Sequence, residues 1–230
     1  MIQLSSAFFS TNHISDALMA LTILSVLMSL GSNRLMALVK IMAFQGIVVS
    51  LTPFFLEHHG SILENTNSIF LLLIMLVIKG LLIPGLMYAA VKKVKIRREV
   101  EPIIGYHASL FAGLIFILIG AFIADRLHIS LPMENDLLLI SAITTLAAGL
   151  FLLMSRRKAI TQVIGYLMME NGIYLVGTAL AKETHTMYVV EFGVLLDLLV
   201  GIMIMGIVLH NINSSYNDVD TALLGRLKDN

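Results

Sequence analysis

The sequence predicts an all-α integral membrane protein with about seven transmembrane helices, and three observations support this class. Of its 230 residues, 58% are hydrophobic and only 13% are charged, with a mean hydropathy of +0.91. Ordinary soluble domains carry roughly 25% charged residues. The apolar residues fall into long stretches, and most positive charges collect in alternate connections between them. These features together predict a bundle of helices that crosses a lipid bilayer.

Seven apolar stretches are each long enough to cross a hydrocarbon core, which takes roughly 20 helical residues. In chain order they cover residues 14–30, 35–56, 69–91, 103–123, 137–154, 160–181 and 187–209. The polar connections between them lie at residues 31–34, 57–67, 92–102, 125–136, 155–159 and 182–186. We therefore expect a single transmembrane domain over residues 1–230, in which residues 211–230 form a cytoplasmic tail.

Positive charges predict an orientation, because loops rich in Lys and Arg stay in the cytoplasm. If the N-terminus lies outside, the inner loops and tail carry eleven basic residues: Arg34, Lys92, Lys93, Lys95, Arg97, Arg98, Arg156, Arg157, Lys158, Arg226 and Lys228. The outer loops then carry only Arg126 and Lys182. We expect a multi-pass protein whose N-terminus is outside and whose C-terminus is cytoplasmic.

The composition excludes several kinds of site. The chain has no cysteine, so disulfides, thiolate metal ligands, Cys-ligated iron–sulfur clusters and a cysteine nucleophile are excluded. Its 15 basic and 15 acidic residues cancel, which gives no case for nucleic-acid binding. The adjacent residues His58 and His59 have no supporting pattern of metal ligands. We expect no metal, no cofactor and no catalytic residue in this chain, and lipid as its surroundings.

Three ionisable residues fall near the middle of predicted helices: Glu170, Asp197 and Lys79. Each lies about ten residues, or about 15 Å of helix, from a helix end. A charge at that depth is costly and usually faces a partner, a wet cavity or an ion path. We expect these residues to transfer protons, with Lys79 as a switchable partner or a permanent counter-ion. Pro84 predicts a kink close to Lys79 that admits water.

Five further polar residues form a predicted secondary path: Gln45, Gln162, Tyr166, Asn171 and Glu191. Gln162, Tyr166 and Glu170 are four residues apart, so they share one helix face that runs from the cytoplasmic surface to the midplane. The loop between the sixth and seventh helices is short. We therefore expect Glu170 and Asp197 on antiparallel neighbours, where the two carboxylates approach each other or share a water. Glu191 is expected nearer the outer surface.

A faint internal repeat relates the two halves of the chain. Residues 45–47 (QGI) align with residues 171–173 (NGI), and Lys79 aligns with Asp197. Both pairs of helices have the same predicted orientation, since each pair lies four helices apart. Parallel repeats of this kind occur in transport proteins. The pattern suggests two parallel three-helix units joined by the fourth helix.

The stretch at residues 157–172, RKAITQVIGYLMMENG, resembles the most distinctive part of the hydrogenase-4 component E family. Residues 79–84 (KGLLIP) are similar to it, as are residues 191–193 (EFG) followed by Asp197. The resemblance runs over nearly the whole chain. It implies a non-catalytic membrane subunit of a complex I-like [NiFe]-hydrogenase or formate hydrogenlyase in a prokaryotic inner membrane. It also implies antiporter-like and other small membrane subunits as partners, and a soluble hydrogenase arm that carries the nickel–iron centre and the iron–sulfur clusters.

The last two helices and the tail also resemble the K subunit of complex I and the C subunit of multisubunit antiporters. On that resemblance Asp197, followed by Gly201 and His210, matches the second membrane glutamate of the K subunit. Glu170 falls about one helical turn from the first.

The resemblance and the buried charges together predict redox-coupled translocation of protons, or of sodium, through Glu170, Asp197 and Lys79. Two alternatives stay open. In the first, the chain is a subunit of a multisubunit cation/proton antiporter, where the same carboxylates serve. In the second, it is a static scaffold between membrane subunits, and its buried charges are paired without exchanging protons.

Overall fold

A computed structural model describes residues 11–56, 66–93, 103–126 and 136–180, and eight single residues beyond them. These eight residues are Gly193, Leu196, Leu199, Val200, Gly201, Met203, Ile204 and Gly206. Regular structure in the described parts is helical, apart from isolated bridge residues at Arg34 and Arg156.

The helices of the four described ranges follow one another along the chain. They are α1 (Thr11–Gly31), α2 (Leu35–Leu56), α3 (Thr66–Val77), a π-helix (Ile78–Leu82), α4 (Ile83–Lys93), α5 (Tyr106–Arg126), α6 (Asp136–Ser155) and α7 (Ala159–Leu180). We call α3, the π-helix and α4 together the third span, because they form one continuous helical path.

Six spans in the described residues are long and apolar enough to cross a membrane. They are α1, α2, the third span, α5, α6 and α7. This confirms the predicted class of all-α integral membrane protein. The seventh predicted stretch, at residues 187–209, is described only at the eight single residues, which are helical. The predicted tail at residues 211–230 lies outside the described residues, and the repeat and the orientation stay predictions.

The third span covers the predicted stretch at residues 69–91, but it is not α-helical throughout. Its middle turn, Ile78–Leu82, is π-helical, and the backbone N–H of Ile83 donates to the carbonyl of Ile78, five residues earlier. Pro84 follows directly and has no N–H with which to continue an α-helical ladder. Such π turns inside α-helices are frequent at functional sites. Lys79 lies within this π turn, so the turn marks Lys79 as a candidate functional residue.

The hairpin of α6 and α7 has the most extensive packing in the described fold. Glycines let its two backbones approach closely: a Cβ on Gly165 would lie 2.6 Å from the backbone nitrogen of Leu153. Gly172 lies in a similar way against the backbone of Leu146. Small residues permit such close approach between membrane helices. The glycine contacts hold α7 in one rotation, and that rotation determines where Glu170 points.

One end of the bundle collects positive charges. There the Arg156 guanidinium Nη2 donates to the carbonyl of Leu30 at 3.3 Å, and the Ile103 N–H donates to the carbonyl of Ser155 at 2.8 Å. We call it the basic end, because six described basic residues lie at the helix ends on this side of the bundle: Arg34, Lys92, Lys93, Arg156, Arg157 and Lys158. The sequence predicts that this end is cytoplasmic.

Buried apolar side chains form two cores at different depths. The basic-end core includes Leu35, Leu38, Val39, Met87, Val91, Ile160 and Ile164. The opposite core includes Met19, Val49, Met75, Leu139 and Leu175. On α2, the third span and α7, buried polar residues fall between the two cores. We call these residues the polar layer: Gln45, Lys79, Glu170 and Asn171.

Candidate functional site

The polar layer contains an ion pair between Lys79 of the third span and Glu170 of α7. The Lys79 Nζ lies 2.7 Å from the Glu170 Oε1, and the two side chains are only 3% and 1% exposed. Removing one member of such a buried pair typically costs about 3–5 kcal/mol, because the remaining charge stays uncompensated. The pair therefore links α7 to the third span at the depth of the predicted membrane midplane.

Two further groups of α7 face the same ammonium. The Lys79 Nζ donates to the Asn171 Oδ1 at 2.9 Å, and it lies 5.6 Å from the centre of the Tyr174 ring, within cation–π range. The second oxygen of Glu170, Oε2, is buried and has no hydrogen-bond partner among the described residues. The carboxylate thus has one oxygen bound to Lys79 and a second oxygen that can accept a hydrogen bond from water or take up a proton.

Helix α2 holds the π-helix from the other side. A Cβ on Gly46 would lie 2.9 Å from the Lys79 backbone oxygen and 3.1 Å from the Lys79 Cβ. Gly80 lies against α2 in turn, since a Cβ there would lie 3.0 Å from the Ile47 Cγ1. Side chains at these two positions would separate the helices. The two glycines therefore place Lys79 within reach of Glu170.

Gln45 precedes Gly46 and belongs to the same layer. Gln45 is fully buried. Neither its Nε2 nor its Oε1 has a hydrogen-bond partner among the described residues. Burying an unpaired amide is unfavourable, so such a group usually meets an ordered water or another polar group. Gln45 therefore adds a second polar group that needs a partner, at about the same depth as Glu170.

A crevice lies beside Lys79, between α2, α4 and α7. It is partly open, and its cavity volume of about 20 Å³ has room for about one water molecule. Its polar lining comes from Lys79 and Asn171. Apolar side chains make most of the remaining wall: Val39, Met42, Ile83, Pro84, Met87, Ile164 and Leu167. Helices α4 and α7 both pack against α2 but contact each other little within the described residues. The crevice fills the wedge between them.

Of the other predicted polar residues of α7, Asn171 lies at the ion pair, and Gln162 and Tyr166 lie closer to the basic end. Asn171 belongs to the ion-pair site, whereas Gln162 is exposed and donates from its Nε2 to the carbonyl of Arg156 at 3.0 Å. Tyr166 is half-buried and packs against the basic-end core. The stripe of Gln162, Tyr166 and Glu170 therefore begins at the basic end and reaches the ion pair, as its spacing implies.

Two predicted residues, Asp197 and Glu191, lie outside the described residues, so the expected approach of Asp197 to Glu170 stays a prediction. Described neighbours in the chain do pack near the site. A Cβ on Gly193 would lie 3.1 Å from the Tyr174 ring, and Val200 belongs to the basic-end core.

Arg156 is a buried basic residue that sequence reasoning placed in a cytoplasmic loop. It is 1% exposed, and its guanidinium lies 5.5 Å from the centre of the Tyr106 ring. Burial lowers the pKa of this guanidinium, and the nearby Tyr106 opposes that shift. The linker between α6 and α7 has only three residues. The short linker can be recognised in the sequence, and it is the feature that could have predicted that Arg156 lies close to the bundle.

The described residues contain no group of three His, Asp or Glu side chains that could hold a metal ion. The buried pair joins a carboxylate to an ammonium, two groups that can each bind or release a proton.

Comparison with known proteins gives distant relatives. The chain is 27% identical to the uncharacterized protein Rv0085 of Mycobacterium tuberculosis over 212 residues, which are 90% of this chain and 92% of that protein. It is also 27% identical to hydrogenase-4 component E of Escherichia coli strain K12 over 152 residues, 65% of this chain and 68% of that protein. The Shigella flexneri component E matches to the same extent.

No family model and no solved structure matches the chain. The comparisons support the predicted resemblance to hydrogenase-4 component E as a distant similarity. The predicted resemblance to the complex I K subunit and to the antiporter C subunit stays a prediction.

Proposed function

We propose that this chain is a membrane subunit of a complex I-like energy-converting [NiFe]-hydrogenase, and that its Lys79–Glu170 pair takes part in redox-coupled proton translocation. The observation that carries the proposal is the 2.7 Å ion pair, buried between two apolar cores. The distant similarity to hydrogenase-4 component E supports the kind of complex. Ionisable residues inside a membrane mark proton relays and ion paths more often than packing sites.

The geometry supports a proton step at Glu170. With Glu170 ionised, its charge compensates that of Lys79 across 2.7 Å. A proton that binds Glu170 neutralises the carboxylate, and the positive charge of Lys79 then loses the attraction of that carboxylate in a region of low dielectric constant. The unfavourable state ends when Glu170 passes its proton on, or when Lys79 releases a proton and then takes up the one on Glu170. In both cases one proton enters and one leaves, so the pair returns to its starting state.

The proposal extends to residues and partners expected from the sequence. Asp197 is the proposed second carboxylate, and Glu191 the proposed outer end of the path. Antiporter-like and other small membrane subunits would continue the chain of charges. The nickel–iron centre and the iron–sulfur clusters would lie in a soluble arm, since this chain has no cysteine to bind them. We place the complex in a prokaryotic inner membrane, and sodium is the alternative ion.

A static scaffold is the second candidate, and one observation favours it. Lys79 is bound by both Glu170 and Asn171, an arrangement that also suits a permanent lock between two helices. In a scaffold the two charges would keep their protonation states throughout turnover.

Charge removal at Glu170 tests the proposal. Glu170→Gln keeps the size of the side chain and removes its charge, and we expect it to abolish coupled proton uptake by inside-out membrane vesicles. Asp136→Asn, at the exposed start of α6, is the matched control and should leave uptake unchanged. Native gels check that the complex is still assembled. Unchanged uptake in an assembled Glu170→Gln complex would contradict the role in translocation.

The kind of complex is tested separately. Mass spectrometry of the purified assembly should find subunits that bind nickel and iron–sulfur clusters. An assembly that contains only membrane subunits would instead support the antiporter alternative.

A further inference from the structure

The crevice beside Lys79 extends from the polar layer toward the basic end. Its lining on α2 runs from Gly46 down to Val39, and on the third span from Lys79 to Met87. Seven or eight residues of helix correspond to about 10–12 Å. The residues that line the crevice therefore span much of the depth between Lys79 and the basic end of the bundle.

An apolar ring lies beyond the crevice on the same three helices. Leu35, Val91 and Ile160 are buried members of the basic-end core. Each lies four residues, or about one helical turn, closer to the basic end than a residue that lines the crevice: Val39, Met87 and Ile164 respectively. We call Leu35, Val91 and Ile160 the apolar ring. Along each of the three helices, the residue of the ring lies between the crevice and the basic end.

The crevice and the polar stripe of α7 are different routes. At 3.6 residues per turn, Ile164 lies about 160° around the helix from both Gln162 and Tyr166. Gln162 is bound to the Arg156 carbonyl, and Tyr166 packs on the apolar core. Empty space next to Lys79 lies on the face of Ile164, Leu167 and Asn171.

We propose that the crevice is the route by which water reaches Lys79 and Glu170 from the basic end, and that the apolar ring gates it. The inference rests on the proposed function, because it supplies protons to the same ion pair. Lys79 and Asn171 at the deep end offer polar partners to water, and the second oxygen of Glu170 lies in the same layer. Apolar constrictions gate membrane pores by excluding water until they widen or become polar. Methionine is flexible, so Met42 and Met87 in the wall suit a passage that opens and closes.

Cysteine accessibility tests the route directly, because the natural chain has no cysteine. Leu167→Cys places a thiol in the crevice, and Phe44→Cys places one at similar depth on the outer face of α2, where Phe44 is 46% exposed. The probe is a charged, membrane-impermeant methanethiosulfonate, which reacts with the thiolate and so requires water at the thiol. It is added to each side of vesicles that contain the assembled complex.

We expect Leu167→Cys to react from the basic end at least about ten times faster than Phe44→Cys, because a thiol in lipid stays un-ionised. Adding Val91→Thr, which keeps the shape of the ring but adds a hydroxyl, should speed the reaction further. The matched control is Val77→Thr on the outer face of the third span, where Val77 is 41% exposed, and it should have no effect.

Equal rates at Leu167→Cys and Phe44→Cys would overturn the route. An unchanged rate in Val91→Thr would overturn the gate. Neither result depends on transport. A fast reaction at Leu167→Cys together with normal proton uptake in Glu170→Gln would contradict the proposed function while leaving the water route intact.

Discussion

Gly46 of α2 lies directly against the backbone of Lys79, so that a Cβ at position 46 would come within 2.9 Å of the Lys79 carbonyl oxygen. This contact joins α2 to the π-helix at the level of the ion pair. The position of Lys79 therefore depends on a residue that has no charge and no side chain. The site therefore includes the packing of α2, the third span and α7 as well as the charged groups themselves.

Gly46→Ala should move the π-helix and weaken the Lys79–Glu170 contact. Overpacking of a tight interface typically costs about 1–3 kcal/mol, so we expect a lower unfolding temperature of the purified complex and reduced proton uptake. Gly85→Ala is the matched control, because a Cβ at Gly85 meets nothing within 4 Å. Equal effects of the two substitutions would show that the Gly46 contact is unimportant.

Removing both charges of the pair should restore stability relative to removing one charge, but it should not restore transport. Lys79→Met leaves Glu170 without a counter-ion and should destabilise the complex by about 3–5 kcal/mol. The double variant Lys79→Met, Glu170→Leu removes both charges and should recover most of that stability while proton uptake stays lost. Thermal unfolding and vesicle uptake measure the two effects. Recovery of uptake in the double variant would contradict a role of the charges.

Gly165→Val should disrupt the hairpin of α6 and α7, because a Cβ at Gly165 would lie 2.6 Å from the Leu153 nitrogen. A clash with backbone cannot be relieved by rotating a side chain. Overpacking typically costs about 1–3 kcal/mol of folding stability, and we expect a loss at or above the top of that range. The amount of folded protein in membranes and its resistance to protease report the effect. Gly206→Val, where a Cβ meets nothing within 4 Å, should be tolerated, and comparable loss there would contradict the packing argument.

The basic end should face the cytoplasm. Arg157→Cys lies at that end and Arg126→Cys at the other, and both native residues are exposed. An impermeant thiol reagent added to inside-out vesicles should label Arg157→Cys alone, because loops rich in Lys and Arg stay cytoplasmic. Right-side-out vesicles should give the reverse pattern. Labelling of Arg126→Cys in inside-out vesicles would show that the orientation is inverted.

Sequence reasoning predicted the fold class because the lengths of apolar stretches depend only on bilayer thickness. The depths of Lys79 and Glu170 followed from the same count of residues. Their mutual contact required more, since it depends on the rotation of α7 in its glycine-rich hairpin and on the approach of Gly46 to the third span. The sequence marks those glycines, but it does not say which helix each one meets.

Other features escaped prediction for related reasons. Pro84 suggests a kink, whereas the structure contains a π turn before it. Either feature can accommodate a residue that lacks a backbone N–H. The π turn also packs against α2 at Gly46 and Gly80. Arg156 was expected in a loop, and its burial depends on contacts with Leu30 and Tyr106, which are distant in sequence. The crevice depends on how three helices diverge, for which no local pattern exists.

Infrared difference spectroscopy of the working complex tests the central claim most directly, because it reports protonation of carboxyl groups during turnover. We predict a carboxyl signal that appears on turnover and is absent from an assembled Glu170→Gln complex. A turnover spectrum that is identical in the native and Glu170→Gln complexes would mean that Glu170 keeps one protonation state, and it would contradict the account.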